Sequence, residues 1–81
     1  MSDTLERVKK VTSEVLKIDP AKIKDTDNFV KNLGAESIQS IELVAAFEEE
    51  FDIEMDEDAA LSVQTIDTAA EFIAKVVAEQ H

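Results

Sequence analysis

The sequence predicts an all-α fold: a four-helix bundle with three main helices, a short third helix and a long ordered loop between helices one and two. Three segments carry apolar residues three and four positions apart, which is the spacing of one helix face. No run alternates apolar with polar residues, and no Asn-Gly or Asp-Gly pair marks a hairpin, so nothing indicates a β-sheet. Eighty-one residues with one glycine and one proline predict a single domain spanning residues 1–81.

The first helix is predicted to begin at Asp3 and to include Lys17 in its last turn. Asp3 as N-cap, with Glu6 three residues later, resembles a capping box. Pro20 ends the helix, because the residue before a proline is driven out of the α region. The apolar stripe of this helix consists of Leu5, Val8, Val11, Thr12, Val15 and Leu16.

Residues 18–36 have no helical period but hold too many apolar residues for a flexible linker. Asp19 to Lys22 favours one helical turn with Pro20 at its first position. Long loops inside compact domains are uncommon and are often functional when they are ordered. We therefore expect this loop to lie across the helices and to insert some of its apolar side chains, which are Ile18, Ile23, Phe29, Val30 and Leu33.

The second helix is predicted from about Ser37 to about Phe51, with Ile41, Val44 and Phe47 on the same face as Phe51. Further apolar residues lie on a flank of this helix that also carries acidic side chains. The apolar stripe is therefore wider than a small core needs, and the excess is either spare core or a binding surface.

The remaining chain predicts a charged connection, a short helix and a final helix. The connection 52–58 carries two apolar residues, Ile53 and Met55. A short third helix is expected over Glu57 to Leu61, and Thr65 is a good N-cap for the last helix. The buried stripe of that helix is predicted to be Ile66, Ala69, Ala70, Ile73, Val76 and Val77.

The formal charge of −11 excludes some partners and favours others. Nucleic acids and anionic membranes require basic surface, so neither is expected, whereas basic protein partners are. Twelve of the nineteen acids lie between Glu36 and Glu71, which indicates one acidic face. No run is apolar enough to insert into a membrane and no secretory signal is recognised. We expect a cytoplasmic protein, by default a monomer.

Catalytic and metal-binding roles find little support. There is no cysteine, and the single histidine is the terminal His81, so nucleophilic pairs and thiolate zinc sites are excluded. Asp52 to Asp58 alternates acids like an EF-hand loop, but Glu57 stands where the loop needs glycine. The sequence therefore predicts neither an enzyme nor a metal site, and leaves room only for weak divalent-ion binding.

Ser37 follows the only glycine of the chain, Gly34, and begins a helical pattern. A serine in this position is most often only an N-cap. It could instead be a modification site, because a phosphodiester at a helix N-terminus is stabilised by free N–H groups and by the helix dipole.

The chain around this serine resembles the acyl carrier proteins. The resemblance is carried by Phe29-Val30-Lys31-Asn32-Leu33-Gly34-Ala35-Glu36-Ser37-Ile38, by Ile41-Glu42-Leu43-Val44 and by Phe47-Glu48-Glu49-Glu50-Phe51-Asp52-Ile53-Glu54. It extends without a gap over nearly the whole chain. It implies a 4′-phosphopantetheine arm attached through a phosphodiester to Ser37, which carries acyl groups as thioesters and presents them to enzymes of fatty-acid or related biosynthesis. The thiol belongs to the arm, which fits a chain without cysteine.

The same resemblance implies roles for other residues. A phosphopantetheinyl transferase and acyl-transfer or synthase enzymes with basic patches would bind the second helix and its start. The candidate partner contacts are Glu36, Ile38, Gln39, Ile41, Glu42, Ala45, Glu48 and Glu49. The candidates to line an acyl pocket are Leu43, Phe47, Val63, Ala69 and Ile73.

The sequence departs from the usual family pattern near the serine. Glu36 and Ile38 replace the usual aspartate and leucine, Asn32 and Gln39 replace acids, and Ala45 replaces a frequent methionine. These departures leave open a specialised carrier rather than the housekeeping one. They are also compatible with an aminoacyl or peptidyl carrier for a dedicated ligase, and with a helical interaction module that is never modified.

Overall fold

The computed structural model describes residues 3–81, and its described part is all-helical. The four α-helices are α1 (Asp3–Leu16), α2 (Ser37–Phe51), α3 (Glu57–Ser62) and α4 (Ile66–Gln80). A 3₁₀ turn, Pro20–Lys22, follows α1. The described residues contain no strand, only one isolated antiparallel bridge between Asn28 and Thr65. The predicted fold class of three main helices and a short third one is confirmed.

Helix α1 buries Val8, Val11 and Thr12, and the Thr12 hydroxyl donates to the Val8 carbonyl at 2.7 Å. Asp3 is the first helical residue rather than the N-cap, and the residue before it lies outside the described part. The helix ends one residue earlier than predicted. Lys17 adopts a left-handed conformation with φ 59°, and Ile18 N–H bonds back to the Ser13 carbonyl at 3.0 Å. This closing bond is that of a Schellman motif, which satisfies a carbonyl left open by the last turn.

The long loop is ordered by hydrogen bonds to the start of α4. Phe29 N–H donates to the Gln64 carbonyl at 2.9 Å, and Ile66 N–H donates to the Asp27 carbonyl at 3.0 Å. Lys9 of α1 forms an ion pair with Asp25 of the loop. Ile23 and Phe29 are buried as expected, whereas Val30 remains 58% exposed. The loop therefore lies across the bundle and presents Val30 outward.

Helix α2 buries Leu43, Phe47 and Phe51, which are four residues apart. This stripe is rotated from the predicted one, which included Ile41. Ile41 is 50% exposed, because a stripe through positions 43, 47 and 51 leaves position 41 about 120° away around the helix. The buried stripe thus differs from the predicted one, and Ile41 lies exposed on the flank where the resemblance implies partner contacts.

Helix α1 packs against both α2 and α4. The side chains with the least exposure are Val8, Thr12, Ile66 and Ile73, so the core lies between these helices. Helix α3 has no buried residue. The connection before it is held by Ile53, which is 5% exposed, as predicted. The final helix begins after Thr65, whose hydroxyl accepts from Thr68 N–H at 3.4 Å, also as predicted.

Candidate functional site

Ser37 is the first residue of α2 and is exposed to solvent. The N-cap is Glu36, one residue earlier, and its N–H donates to Gln39 Oε1 at 2.9 Å. The Ser37 hydroxyl has no hydrogen-bond partner within the part of the chain that the structure describes. The simple capping role considered for Ser37 is therefore wrong. The three-residue spacing of Glu36 and Gln39 is the signal that could have identified the actual cap.

The loop before Ser37 is rigidly hydrogen-bonded. Asn28 Oδ1 accepts from Val30 and Lys31 N–H at 2.9 Å each, and Asn28 N–H donates to Asn32 Oδ1 at 2.7 Å. Gly34 has φ 74°, a left-handed conformation that favours glycine. Asn32, a departure from the usual family pattern, thus uses its side-chain oxygen to close this turn. The loop presents Ser37 in a fixed position rather than on a flexible tether.

The backbone at the start of α2 is suited to an anionic substituent. The first i→i−4 hydrogen bond runs from Ser40 N–H to the Glu36 carbonyl at 2.9 Å, so the N–H groups before it lie at the positive end of the helix dipole. The first turn of α2 contains no acidic residue. A phosphate attached to the Ser37 oxygen would meet a favourable field there.

A cavity of about 360 Å³ opens beside this end of α2, between α2, α3, α4 and the loop. Its lining includes all five residues predicted for an acyl pocket, Leu43, Phe47, Val63, Ala69 and Ile73. Whether an acyl chain enters it stays a prediction. Ser40, one helical turn after Ser37, also lines the cavity, so the cavity lies next to the N-terminal turns of α2.

Sequence reasoning missed several lining residues. Phe29, with its ring 6.4 Å from that of Phe47, was expected only to anchor the loop. The other lining residues that were not predicted are Asn28, Val30, Lys31, Ser40, Val44, Met55, Ala60, Leu61, Gln64 and Phe72. Helical periodicity predicts which face of a helix a residue lies on. It does not show where two packed helices leave a cavity between them.

The predicted partner residues lie mostly on one exposed face of α2. Ile38 is 63% exposed and Ile41 50% exposed, and Ala45 completes an exposed apolar row at spacings of three and four. Glu42 and Glu49 are exposed beside this row. We call these five residues the α2 docking face.

The remaining predicted partner residues have structural tasks. Glu36 is exposed at the N-cap, while Gln39 and Glu48 are half-buried. Gln39 accepts the Glu36 N–H, and Glu48 Oε2 accepts Met55 N–H at 2.8 Å. Six of the eight predicted partner residues are therefore exposed. Gln39 and Glu48 are half-buried, and each accepts a hydrogen bond from a backbone N–H.

Acidic side chains differ in whether they are paired. Glu50 forms an ion pair with Arg7 at 2.9 Å, whereas Glu42 and Glu49 have no ion-pair partner in residues 3–81. No group of three or more potential metal-ligating side chains occurs in the described residues. None of the helices between residues 3 and 81 has the length and hydropathy of a membrane-spanning segment.

Comparison with known proteins gives consistent matches. The family model described as "Phosphopantetheine attachment site" matches residues 6–73. The acyl carrier protein of Caulobacter vibrioides is 50% identical over 78 residues, which is 96% of this chain and all of that protein, and two strains give the same result. The acyl carrier protein of Phenylobacterium zucineum is 52% identical over 73 residues, covering 90% of this chain and 92% of its own.

The geometry fits the group that this family carries. An exposed serine hydroxyl without a protein partner, at a helix N-terminus and beside an apolar-lined cavity, has the access and the field that a covalent phosphodiester requires. The described residues offer no cysteine that would compete with the thiol of the arm. By its sequence and its fold, the chain belongs to the acyl carrier protein family, whose members are not enzymes and carry covalently attached 4′-phosphopantetheine.

Proposed function

We propose that Ser37 is the attachment point, and that this single-domain chain carries acyl groups from it to biosynthetic enzymes. The observation that supports this most directly is the exposed Ser37 hydroxyl, which the Glu36–Gln39 cap leaves without a structural task. When bound, the arm supplies a thiol that holds the acyl group as a thioester. The chain itself supplies an oxygen nucleophile, a fixed loop, a docking face and a cavity.

The attachment reaction uses the Ser37 oxygen as its acceptor. A phosphopantetheinyl transferase would bind the α2 docking face and bring coenzyme A to Ser37. The Ser37 Oγ–phosphorus bond forms, the pyrophosphate bond of coenzyme A breaks, and the serine proton passes to the medium. The products are the modified chain and adenosine 3′,5′-bisphosphate.

Docking to transferase and synthase enzymes is proposed to combine apolar contact with charge. Ile38, Ile41 and Ala45 are the apolar row, and Glu42 and Glu49 are unpaired acids beside it. Basic patches on partners would be steered to such a surface. Glu36, Gln39 and Glu48 border this face and are proposed as further contacts. We expect the chain to act as a cytoplasmic monomer.

The cavity is proposed to shelter the acyl chain between encounters. Leu43, Phe47, Val63, Ala69 and Ile73 line it together with Phe29 and Phe72. Its volume of about 360 Å³ lies within the range of small-molecule pockets.

The test is an intact mass measurement after incubation with coenzyme A and a broad-specificity phosphopantetheinyl transferase. The parent chain should gain the mass of one arm, and Ser37→Ala should gain none. Ser40→Ala is the matched control, because Ser40 lies one turn away on the same helix and is half-buried. It should gain the arm. Modification of Ser37→Ala, or no gain in any variant with several transferases, would favour the unmodified interaction module.

A further inference from the structure

The lining of the cavity is uneven in polarity and in charge. It is apolar except for four residues, which are Asn28, Lys31, Ser40 and Gln64. None of the lining residues in the described chain is acidic, although the whole sequence holds nineteen acids against eight bases. The charged residue among them is therefore a cation, Lys31, in a protein with a formal charge of −11.

Three of these polar residues lie together, where the long loop meets the start of α4. Phe29 N–H donates to the Gln64 carbonyl at 2.9 Å, and Asn28 forms the isolated bridge with Thr65, the residue after Gln64. Lys31 N–H donates to Asn28 Oδ1 at 2.9 Å. We call Asn28, Lys31 and Gln64 the polar side of the cavity.

The polar side has donors that no protein group in residues 3–81 uses. Asn28 Oδ1 accepts from both Val30 N–H and Lys31 N–H, which fixes the side-chain amide, since its nitrogen cannot accept a hydrogen bond. Asn28 Nδ2 is left as a donor without an acceptor, and neither the Gln64 side chain nor Lys31 Nζ has a partner in this range. No fully buried side-chain nitrogen or oxygen of the described residues is unpaired, so Asn28 Nδ2 is accessible to a bound group.

This arrangement suits a cargo with a negative group better than a plain alkyl chain. A carboxylate accepts charge-assisted hydrogen bonds from an ammonium and from amide N–H groups. An alkyl chain over the same donors displaces their water and offers no acceptor in return, which costs free energy. A carboxylate on the outside of the protein, by contrast, meets the repulsion of an acidic surface. The methylene groups between a thioester and a second carboxylate match the apolar remainder of the lining.

We propose that the polar side of the cavity is a specificity site for acyl groups that carry a second carboxylate, the monothioesters of dicarboxylic acids. Lys31 Nζ and Asn28 Nδ2 bind the distal carboxylate, and the Gln64 side chain supplies a further donor. The methylene groups of the cargo contact the apolar lining, which includes Leu43 and Phe47. This inference rests on the proposed carrier function and names the class of its cargo.

Four variants separate the cation, the amide donor and the net charge. Lys31→Met removes the cation at nearly constant length, and Lys31→Arg keeps it. Asn28→Asp keeps an oxygen acceptor for the two loop N–H groups, but it replaces the Nδ2 donor with a negative charge. Lys24→Met is the matched control, because Lys24 is exposed in the same loop, has no ion-pair partner in the described chain and does not line the cavity.

The first measurement compares two cargoes of similar length, adipoyl and its monomethyl ester, loaded on the arm and verified by intact mass. Neutral hydroxylamine cleaves each thioester, and the rate relative to the same thioester of free pantetheine reports how well the protein shelters the cargo. The parent and Lys24→Met should shelter adipoyl about fivefold better than the ester, the scale of a charge-assisted hydrogen bond at a partly exposed site. Lys31→Arg should retain most of this preference.

The two variants that damage the polar side should lose the preference for adipoyl. In Lys31→Met and Asn28→Asp the acidic protein repels the distal carboxylate without compensation, so adipoyl should be sheltered no better than the ester. The ester is also the control for folding. Its sheltering should stay within about twofold of the parent in every variant, because these substitutions at partly or fully exposed positions leave the core intact.

The second measurement locates the carboxylate and does not depend on attachment. The unloaded parent is titrated with the N-acetylcysteamine thioester of adipic acid and, separately, with the methyl ester of that compound. The side-chain N–H resonances of Asn28 should shift downfield with the first compound only, and Lys31→Met should remove the shift. No shift at Asn28 with either compound would overturn the proposal whether or not Ser37 is modified.

The outcomes distinguish the two proposals. Absence of loading in the parent would count against the carrier function, and the titration would still decide the role of the polar side. Normal loading with equal sheltering of the two cargoes in the parent would overturn the specificity site and leave the carrier function standing. A preference for adipoyl that Lys24→Met weakens as much as Lys31→Met would attribute the effect to net charge and overturn the assignment to Lys31.

Discussion

The two halves of this molecule use apolar side chains in different ways. In the core half, formed by α1, α4 and the last turn of α2, Val8 and Ile66 have no exposed surface. In the cargo half, formed by residues 28–36, the first turns of α2, and α3, apolar residues stay exposed: Val30 58%, Ile38 63%, Ile41 50% and Leu61 41%. One half uses its apolar surface for stability, and the other leaves apolar surface exposed, where we propose that cargo and partners bind.

Polar side chains follow the same division. In the core half, Arg7 donates to Glu50 and lies 4.3 Å from the centre of the Phe51 ring, and the hydroxyl of buried Thr12 is satisfied. In the cargo half, Ser37 has no protein partner within residues 3–81. The comparison teaches that the polar groups of the core half are paired within the chain, whereas the Ser37 hydroxyl stays available.

The largest expected effect concerns the core. Ile66→Ala should lower the free energy of unfolding by about 2–4 kcal/mol, since it removes a fully buried side chain and leaves a cavity. Leu61→Ala, at a site 41% exposed, should cost less than about 1 kcal/mol. Urea denaturation of the two variants measures the difference. Equal losses would show that the two halves contribute alike to stability.

The next effect concerns the cavity. Loading the parent with an octanoyl arm should stabilise it by about 2 kcal/mol, as burial of a few methylene groups predicts. Ala69→Leu fills part of the cavity, and it should remove at least half of that gain. Ala74→Leu makes the same change at an exposed position of α4 outside this cavity. Loading should therefore stabilise this variant as much as it stabilises the parent. Thermal melts of loaded and unloaded chains provide the measurement. An equal gain in all three chains would place the acyl group elsewhere.

The features that the sequence predicted correctly are those that depend on residues close together in the chain. The periodic spacing gave helix bounds within one or two residues, and the Thr65 cap and the short third helix were confirmed because both depend on neighbouring residues alone. The buried edge of the α2 stripe was not predictable, because apolar residues on a wide stripe do not reveal which edge faces the core. Ile41 was expected both on that stripe and among the partner contacts. Which edge is buried depends on how the loop through Phe29 and Ala35 packs against α2.

The residues of the candidate site differ in how far the sequence predicts their roles. Ser37 was identified from its neighbours, but a capping role for it was excluded only by the hydrogen bond between Glu36 and Gln39. The dual position of Glu48 was not predictable, since its hydrogen bond to Met55 depends on the path of a connection without periodicity. Sequence gives the chemistry of a residue, and tertiary geometry decides which of two tasks it performs.

The third effect concerns the docking face. The association rate with a phosphopantetheinyl transferase should fall about tenfold between ~50 mM and ~500 mM salt, because exposed acids steer a basic partner. The double variant Glu42→Gln/Glu49→Gln should lose most of this salt dependence. The double variant Glu6→Gln/Glu14→Gln removes the same charge from exposed positions of α1. Its association rate should keep the salt dependence of the parent. Stopped-flow binding tests this, and equal losses in the two double variants would attribute steering to net charge alone.

The smallest effect concerns the join between α1 and the end of α2. Arg7 Nε bonds to Glu50 Oε2 at 2.9 Å, and a terminal guanidinium nitrogen bonds to the Glu50 carbonyl at 2.7 Å. Arg7→Met should lower the free energy of unfolding by about 1–2 kcal/mol, combining a partly exposed ion pair with a cation–π contact. Arg7→Lys keeps the charge but not the planar fork, so it should recover only part of the loss. Lys10→Met, at an exposed position of the same helix, should be nearly neutral.

The Arg7 variants also test whether the two halves are separable. The hydrogen bonds and the ring contact of Arg7 go to Glu50 and Phe51, neither of which lines the cavity or belongs to the docking face. Attachment rates measured well below the melting temperature should therefore equal those of the parent, even though urea unfolds the variant earlier. If attachment slows in proportion to the loss of stability, the packing around Arg7 at the end of α2 also positions the start of that helix. The core half and the docking face would then not be separable.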